Sequence, residues 1–238
     1  MAPGILTDSW TIAVKEWREW CCARTRLGWG ALAILLITWS VAVPLLFSRL
    51  DAAPLAIPIA WAALPLILAG VMITDSLAGE RERQTLETLL ASRLSDRAIV
   101  LGKVAAITLL GWLLLLLGTL PGLLQQIITL PTAMASYSAL AVVSVSAPCI
   151  LLMVIVGAWL ALYTASARFA LLLTTAFAAS LILGVTGLAF WWYTQCPSCA
   201  GEAASPLGLL FASLSLLDLA LLAGLLLSVQ RARLLAIG

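Results

Sequence analysis

The sequence predicts an all-α integral membrane protein: six transmembrane helices, an amphipathic helix before the first, and a short cytoplasmic helix between the second and third. Of the 238 residues, 63% are apolar and only 10% are charged, and the mean hydropathy is +1.11. Soluble domains carry about 45–50% apolar and about 25% charged residues. A water-soluble fold could not hide this much apolar surface, so the bilayer must be the solvent.

Six apolar runs are each long enough to cross a bilayer as a helix, which takes about 20 residues. None of them alternates polar and apolar residues, as the strands of a membrane barrel would. They divide the chain into a cytoplasmic N-terminal segment, residues 1–26, and a transmembrane domain, residues 27–238. The runs are residues 27–47, 54–74, 104–130, 139–163, 169–191 and 206–229.

The positive charges orient these helices. Twelve of the 13 lysines and arginines lie on one side of the predicted membrane, and only Arg49 lies on the other. Cytoplasmic segments carry the excess of Lys and Arg in membrane proteins. Both termini are therefore predicted to be cytoplasmic, in a multi-pass protein of a plasma or inner membrane.

The residues that the chain lacks exclude much catalytic chemistry. Without any histidine, it has no histidine general base, zinc ligand or haem axial ligand. Asp218 is the only acidic residue deep in a predicted span, whereas an aspartyl intramembrane protease needs two aspartates. The net charge of +2, with few and scattered cations, argues against a nucleic-acid partner. An integral-membrane enzyme is disfavoured, and no metal site or bound cofactor is predicted.

Residues 10–26 are predicted to form an amphipathic helix. Its tryptophans and other apolar residues recur at helical spacing, and most of its charged residues lie on the other side. Such a helix lies in the plane of the lipid headgroups. Taken alone, it is interpreted as an interfacial anchor for the first span. The apolar face comprises Trp10, Val14, Trp17 and Cys21, with Ala13 and Trp20 alongside.

A second cytoplasmic segment, residues 75–103, carries nearly half of the charged residues. Residues 80–90 within it are predicted to form a short helix with a strip of leucines at positions 86, 89 and 90. Arg83 and Glu87 can pair one helical turn apart. From these residues alone, two interpretations stay open: the strip docks on another protein, or it packs back on the membrane helices.

The helix of the third span has a predicted start and a predicted interruption. Ser95 is predicted to be its N-cap, and the carboxylate of Asp96 is favourable near the positive end of the helix dipole. Pro121 and Gly122 lie near the middle of the span. Because proline removes a backbone donor and can kink a helix, this helix is expected to be broken there.

The segment around the short helix resembles the signature of ATP-binding-cassette (ABC) exporter permeases of the second export class. Residues 80–90 are ERERQTLETLL, followed by Ser95 and then by Gly102 and Lys103. The family pattern is roughly E-R-E-x-G-T-L-E-x-L-L, then P-x-S, then G-K opening the third span. The resemblance places this chain among the permease subunits of that class.

Two further features bear on this resemblance. Lys15 and Glu16 match the usual K-E of the family's N-terminal elbow helix, and six spans with cytoplasmic ends agree with its architecture. Two positions depart from the pattern, since Gln84 replaces the usual glycine and Arg93 stands where a proline is typical. Both departures affect how the loop is expected to bend.

The resemblance implies a transporter subunit without a catalytic site. In such permeases the loop is a coupling helix, which sits in a groove of the ATPase subunit and converts nucleotide-driven closure into motion of the spans. This chain lacks a G-x-x-x-x-G-K-[ST] phosphate loop, so ATP and Mg²⁺ are expected on the partner ATPase. The implied coupling residues are Glu80, Arg81, Glu82, Arg83, Thr85, Leu86, Glu87, Leu89 and Leu90.

A second copy of the chain, or a related permease, is an expected partner besides membrane lipid. An ABC ATPase closes as a pair, so two coupling helices are needed to follow that motion symmetrically. Ala176, Ser180 and Gly184 lie four residues apart on one face of the fifth span and are a candidate contact. A non-transporting membrane scaffold or assembly factor on the same fold is the alternative function.

Asp218 deserves a functional hypothesis, because a carboxylate in hydrocarbon is costly unless it is paired, protonated or facing water. It either lines a translocation path, together with Pro121 and Gly122, or forms a hydrogen bond, as a carboxylate or as the neutral acid. The partners considered for that bond are Ser213, Ser215 and a neighbouring helix.

Cys196 and Cys199 lie in the predicted outer loop, residues 192–205. A C-x-x-C pair on an oxidising side can close a small disulfide. We expect that disulfide if the loop faces an oxidising compartment, and two free thiols if it does not.

Overall fold

The computed structural model describes residues 5–23, 34, 37–39, 42, 56–80, 95–129, 132–164, 166–195 and 204–228. Nearly all of these residues are helical, and no strand occurs among them. The helices are α1 (Ile5–Ala23), α2 (Ala56–Thr74), α3 (Asp96–Thr129), α4 (Thr132–Tyr163), α5 (Ala167–Gln195) and α6 (Ala204–Ser228).

Five of these helices, α2 to α6, are long and apolar enough to cross a membrane, with mean hydropathies between 1.7 and 2.4 over their apolar windows. They coincide with the predicted second to sixth spans. The prediction of an all-helical, multi-pass membrane protein is confirmed to this extent. The predicted first span, residues 27–47, lies mostly outside the described residues.

The end of α2 differs from an ordinary α-helix. Beyond Thr74 the chain continues as a π-helical turn, Asp75–Gly79, which leads into Glu80. Within this turn Leu77 and Ala78 are buried, and the turn packs against α4 and α5. Single π-helical turns are rare and occur frequently at functional sites.

The described helices shorten the predicted cytoplasmic loop, residues 75–103. Its first part, up to residue 80, continues the helix of α2, and its last part, from residue 96, belongs to α3. The connection between them is therefore residues 81–95. Most of the predicted coupling helix falls in this connection, outside the described residues.

The structure agrees with the predicted N-cap of α3 but not with the predicted break in the middle of that helix. Ala98 donates its backbone N–H to the hydroxyl of Ser95 at 3.2 Å, and Ile99 donates to the Ser95 carbonyl at 3.1 Å. The predicted N-cap is confirmed. The expected break at Pro121 and Gly122 is wrong, since α3 is one continuous helix through both. Proline removes a single backbone hydrogen bond, and the bonds on either side maintain the helix.

The centre of the bundle consists of α2, α3 and α4. In the apolar segments that could cross a membrane, the buried share of residues is 61%, 67% and 61% for these three helices. It is 17% for α5 and 11% for α6. Small residues permit the close crossing of α2 and α4: a Cβ at Gly157 would lie 2.6 Å from Ile73 Cγ2. Between α2 and α5, the buried hydroxyls of Thr74 and Thr174 are 3.1 Å apart. The described part of α6 packs mainly against α4.

Candidate functional site, a buried lysine shared by three helices

The N-terminal helix α1 packs along the beginning of α3 through one buried face. Ser9, Ile12, Ala13 and Glu16 form this face, at the spacing of adjacent helical turns. Ala13 was expected beside the tryptophans, but it is buried with this face. The helix also begins earlier than predicted, at Ile5.

The tryptophan-rich face of α1 is exposed. Trp10 is 65% exposed, Trp17 38% and Val14 37%. Because successive residues are about 100° apart around a helix, this face lies beside the buried one. Lys15 and Arg18, also exposed, occupy the remaining side. α1 thus presents one face to the bundle, one apolar face outward and one basic face outward, the pattern of helices that lie among lipid headgroups.

Gly102 of α3 lies where α1 comes closest. A Cβ built at Gly102 would be 2.7 Å from the carbonyl oxygen of Ser9 and 2.9 Å from the Cβ of Ile12. Neither atom is the flexible end of a side chain, so only glycine allows this approach. The glycine of the Gly102–Lys103 pair therefore determines how α1 is seated.

Lys103 follows directly and is fully buried, with its side chain 1% exposed. Its Nζ lies 2.6 Å from Glu16 Oε1 of α1 and 2.8 Å from Glu80 Oε1, just after the π-helical turn. The ammonium also donates to Ser76, at 2.8 Å to the hydroxyl and 3.2 Å to the carbonyl oxygen. We name Lys103, Glu16, Glu80 and Ser76 the lysine cluster, and it connects α1, the end of α2 and α3.

The two acidic side chains of the lysine cluster differ in their overall exposure. The side chain of Glu16 is 4% exposed and that of Glu80 is 21% exposed. Taking charged groups out of water costs several kcal/mol for each ion, and close, well-directed contacts are needed to offset that cost. Lys103 and Glu16 therefore depend on each other. The partial exposure of Glu80 does not extend to its Oε2 atom, which is buried.

The lysine cluster joins residues that are far apart in the sequence and that carry the family resemblance. Glu16 belongs to the K-E pair, Glu80 opens the E-R-E segment, and Lys103 completes the G-K pair. No contact among them is predicted from the sequence, which assigns Glu80 to an ATPase surface. One feature of the sequence could have predicted such a contact. Lys103 lies two turns into an apolar helix, where a lysine is rarely buried unless it is paired.

The other predicted site residues do not belong to this cluster. Pro121 and Gly122 lie in α3. The small residues of α5 are exposed, and among the described residues no heavy atom lies within 4 Å of a Cβ built at Gly184. The remaining coupling residues and the cysteine pair lie outside the described residues, and their assignments stay predictions: Arg81, Glu82, Arg83, Thr85, Leu86, Glu87, Leu89, Leu90, Cys196 and Cys199.

Asp218 of α6 is buried at 1% exposure. Among the described residues, neither of its carboxyl oxygens has a hydrogen-bond partner. Ser215, one expected donor, instead bonds to the carbonyl of Phe211. In the same part of the chain no group of three or more His, Cys, Asp or Glu side chains could hold a metal ion.

No protein-family model matches this chain, and no curated protein matches it either. A functional conclusion therefore depends on the sequence motif and on the geometry of the lysine cluster.

Proposed function

We propose that this protein is the transmembrane permease subunit of an ABC export system. It moves a substrate across or out of a cell membrane, while ATP and Mg²⁺ are bound and hydrolysed on a separate ATPase subunit. The observation that carries the proposal is the lysine cluster. Three pieces of the permease motif, separated along the chain, contribute Glu16, Glu80 and Lys103 to a single buried contact. The meeting of three motif residues from distant parts of the chain supports the proposal.

The proposed architecture has six spans, α2 to α6 and the helix of residues 27–47, with both termini in the cytoplasm. α1 is the elbow helix, and its exposed tryptophan face lies among the lipid headgroups. The residues of the lysine cluster belong to sequence segments on the side of the predicted membrane that carries twelve of the 13 lysines and arginines, which is the cytoplasmic side under the positive-inside rule.

The coupling segment, residues 81–94, is fixed at both ends in this architecture. Glu80 precedes it and is bonded to Lys103, and Ser95 follows it and caps α3. A displacement of the segment is therefore transmitted to α2 and α3, which lie in the centre of the bundle. This arrangement suits a helix that receives motion from an ATPase and passes it to the spans.

Truncating the leucine strip tests this function. We expect Leu89→Ala with Leu90→Ala to weaken ATPase binding at least about tenfold, because a buried interface anchor commonly contributes more than about 1 kcal/mol. The permease and its ATPase are co-expressed and purified in lipid nanodiscs. ATPase affinity, ATP hydrolysis and the thermal midpoint of the permease are then measured. The midpoint should not change.

The matched control is Leu216→Ala with Leu217→Ala, two adjacent leucines on α6 that are 68% and 46% exposed. This pair should leave ATPase affinity unchanged. Charge reversal at Glu82 or Glu87 should act more weakly and depend on salt. If Leu89 and Leu90 instead pack on the bundle, their truncation lowers the thermal midpoint and leaves ATPase affinity intact, which contradicts the docking role. An ATPase that binds without any stimulated hydrolysis indicates a scaffold.

A further inference from the structure

The helix α6 packs on the bundle through one narrow face. Leu225 is 0% exposed, and Leu214 and Leu221 pack against the buried core. Together with Asp218 they recur every three or four residues, which is the spacing of one helical face. We name these four residues the α6 seam, and α4 is the main neighbour of α6. Asp218 thus occupies a position between leucines where an apolar side chain would be expected.

The carboxyl group of Asp218 lacks partners whichever protonation state it has. It is 1% exposed, and among the described residues neither oxygen has a hydrogen-bond partner. An ionised carboxyl group only accepts hydrogen bonds, whereas the neutral acid has one donor and further acceptor capacity. Adding a proton therefore removes the charge and still leaves a buried polar group unpaired, which is costly. A partner that brings a positive charge and a hydrogen-bond donor would remove this cost.

A second unpartnered polar group lies on the facing helix. The indole N–H of Trp159 in α4 is buried and has no acceptor among the described residues. Cζ2 of the same ring is 3.5 Å from a Cβ built at Gly224, so the indole lies against α6. Gly224 follows Asp218 by six residues, which is about 9 Å along a helix. The contact between α4 and α6 therefore contains a buried donor and a buried acceptor that do not bond to each other.

These groups favour an organic cation over a metal ion. Calcium and magnesium take about six or more oxygen ligands, and the described residues contain no group of three or more acidic, cysteine or histidine side chains that could hold a metal. An organic ammonium brings its own N–H donors and pairs with a single carboxylate. The rest of the α6 seam is leucine, which suits an apolar body. The ligand indicated is therefore an amphipathic cation that also carries a hydrogen-bond acceptor for Trp159.

Binding requires α6 to separate from α4, because Asp218 is not accessible in the conformation described here. Of the five described spans, α6 has the smallest buried share, at 11% of its apolar segment. Leucines that leave a helix contact within a bilayer meet lipid instead of water, so the hydrophobic effect does not oppose this separation. The contact between α4 and α6 is thus a feasible entrance from the lipid.

We propose that the α6 seam binds an amphipathic organic cation, the substrate class of this permease, which enters from the bilayer between α4 and α6. The cationic group pairs with Asp218, an acceptor on the ligand receives the indole N–H of Trp159, and the apolar body lies along the leucines. This inference rests on the proposed function, because it names the cargo of the same permease.

Binding of dansylcadaverine to the full-length permease in nanodiscs, without an ATPase, tests the site. This probe joins a primary ammonium to an apolar dansyl sulfonamide, and its N-acetyl derivative retains the body without the charge. Dansyl fluorescence gives both affinities after subtraction of empty nanodiscs. The wild type should bind the amine at least about tenfold more tightly than the derivative, as expected for a buried charge pair. Asp218→Asn should abolish that preference, and Asp218→Glu should retain it.

Two variants serve as matched controls. Asp75→Asn removes an exposed carboxylate at the end of α2 and should leave the cation preference unchanged. Trp159→Phe should weaken both probes about fivefold through the lost hydrogen bond. Trp112→Phe should weaken neither, because the Trp112 indole N–H already donates to the Ala147 carbonyl at 3.1 Å. Equal affinities of the wild type for the two probes, or a preference that survives in Asp218→Asn, would overturn the site.

ATP turnover in the complex with the ATPase separates this inference from the proposed function. The amine should raise turnover about fivefold or more in the wild type and not in Asp218→Asn. Cation binding without a rise in turnover overturns the assignment of the substrate class. A coupled complex that shows no cation binding overturns the site and leaves the proposed function intact. Failure of the wild-type chain to bind any ATPase overturns the proposed function, whereas the binding result on the isolated permease is unaffected.

Discussion

The lack of a side chain at Gly102 determines how closely α1 packs against α3. Gly102 brings α3 so close to α1 that an added Cβ would meet a backbone carbonyl at 2.7 Å. The neighbouring Lys103 contacts Glu16 across the same close approach, at 2.6 Å. Packing and charge pairing at adjacent residues of α3 therefore depend on each other.

We expect Gly102→Ala to lower the free energy of unfolding by about 1–3 kcal/mol, the usual cost of overpacking a tight contact. Thermal or denaturant unfolding of the purified permease measures the change. Gly187→Ala is the control, because a Cβ at Gly187 has no heavy atom of the described part of the chain within 4 Å. This variant should be neutral or slightly stabilising. Equal stabilities of the two variants would show that α1 can shift to accommodate a methyl group.

Asp218 is buried, yet none of the described residues around it explains why a carboxyl group lies there. A buried polar group without a partner costs about 1–3 kcal/mol, and neither of its oxygens has a partner among the described residues. Asp218→Val should raise the free energy of unfolding by a similar amount, measured by denaturant unfolding. Asp218→Asn retains the shape and a polar group, and should change stability little. If Asp218→Val is destabilising, the carboxylate has a partner elsewhere. If Asp218 lines the translocation path, the stabilised Val variant should also lose transport.

At the scale of elements, α5 presents small residues that nothing in the described chain covers. Ala176, Ser180 and Gly184 are all exposed on it. Small residues let helices approach closely within a membrane, so this face is the proposed contact with a second permease.

We expect Ser180→Leu to reduce the dimeric fraction, because a leucine at the centre of a close crossing separates the two backbones. Native mass spectrometry from nanodiscs measures that fraction, and the thermal midpoint of the monomer should stay the same. Ala220→Leu enlarges an exposed alanine of α6 and serves as the control. A dimer that tolerates Ser180→Leu as well as Ala220→Leu would place the contact elsewhere.

At the scale of the whole molecule, the proposed orientation places the lysine cluster and both termini in the cytoplasm. A single cysteine at position 97, in a chain whose five native cysteines are replaced, tests this orientation. Arg97 is exposed in the first turn of α3, so the Arg97→Cys variant should react with an impermeant maleimide only after cells are permeabilised. A variant that retains Cys199 alone should react in intact cells. Labelling in the reverse pattern would invert the orientation.

The helices themselves were predictable from the sequence. Five helices overlap the predicted second to sixth spans, although α3 begins eight residues and α4 seven residues earlier than predicted. Ser95 caps α3 as expected. Both agreements follow because hydropathy and capping are local properties of the chain. The break at Pro121 was predicted wrongly from an equally local signal. One missing hydrogen bond does not interrupt a helix whose remaining bonds are intact.

Only the tertiary structure decided which residues meet. In a bilayer the faces turned to lipid and those turned to other helices are both apolar, so periodicity does not identify the partner of each helix. The Lys103–Glu16 contact spans 87 residues of sequence and requires α1 to lie against α3, which no local pattern specifies. The sequence by itself determined the membrane helices and the motif residues. Packing decided that three of those residues, from three helices, share one buried charge cluster.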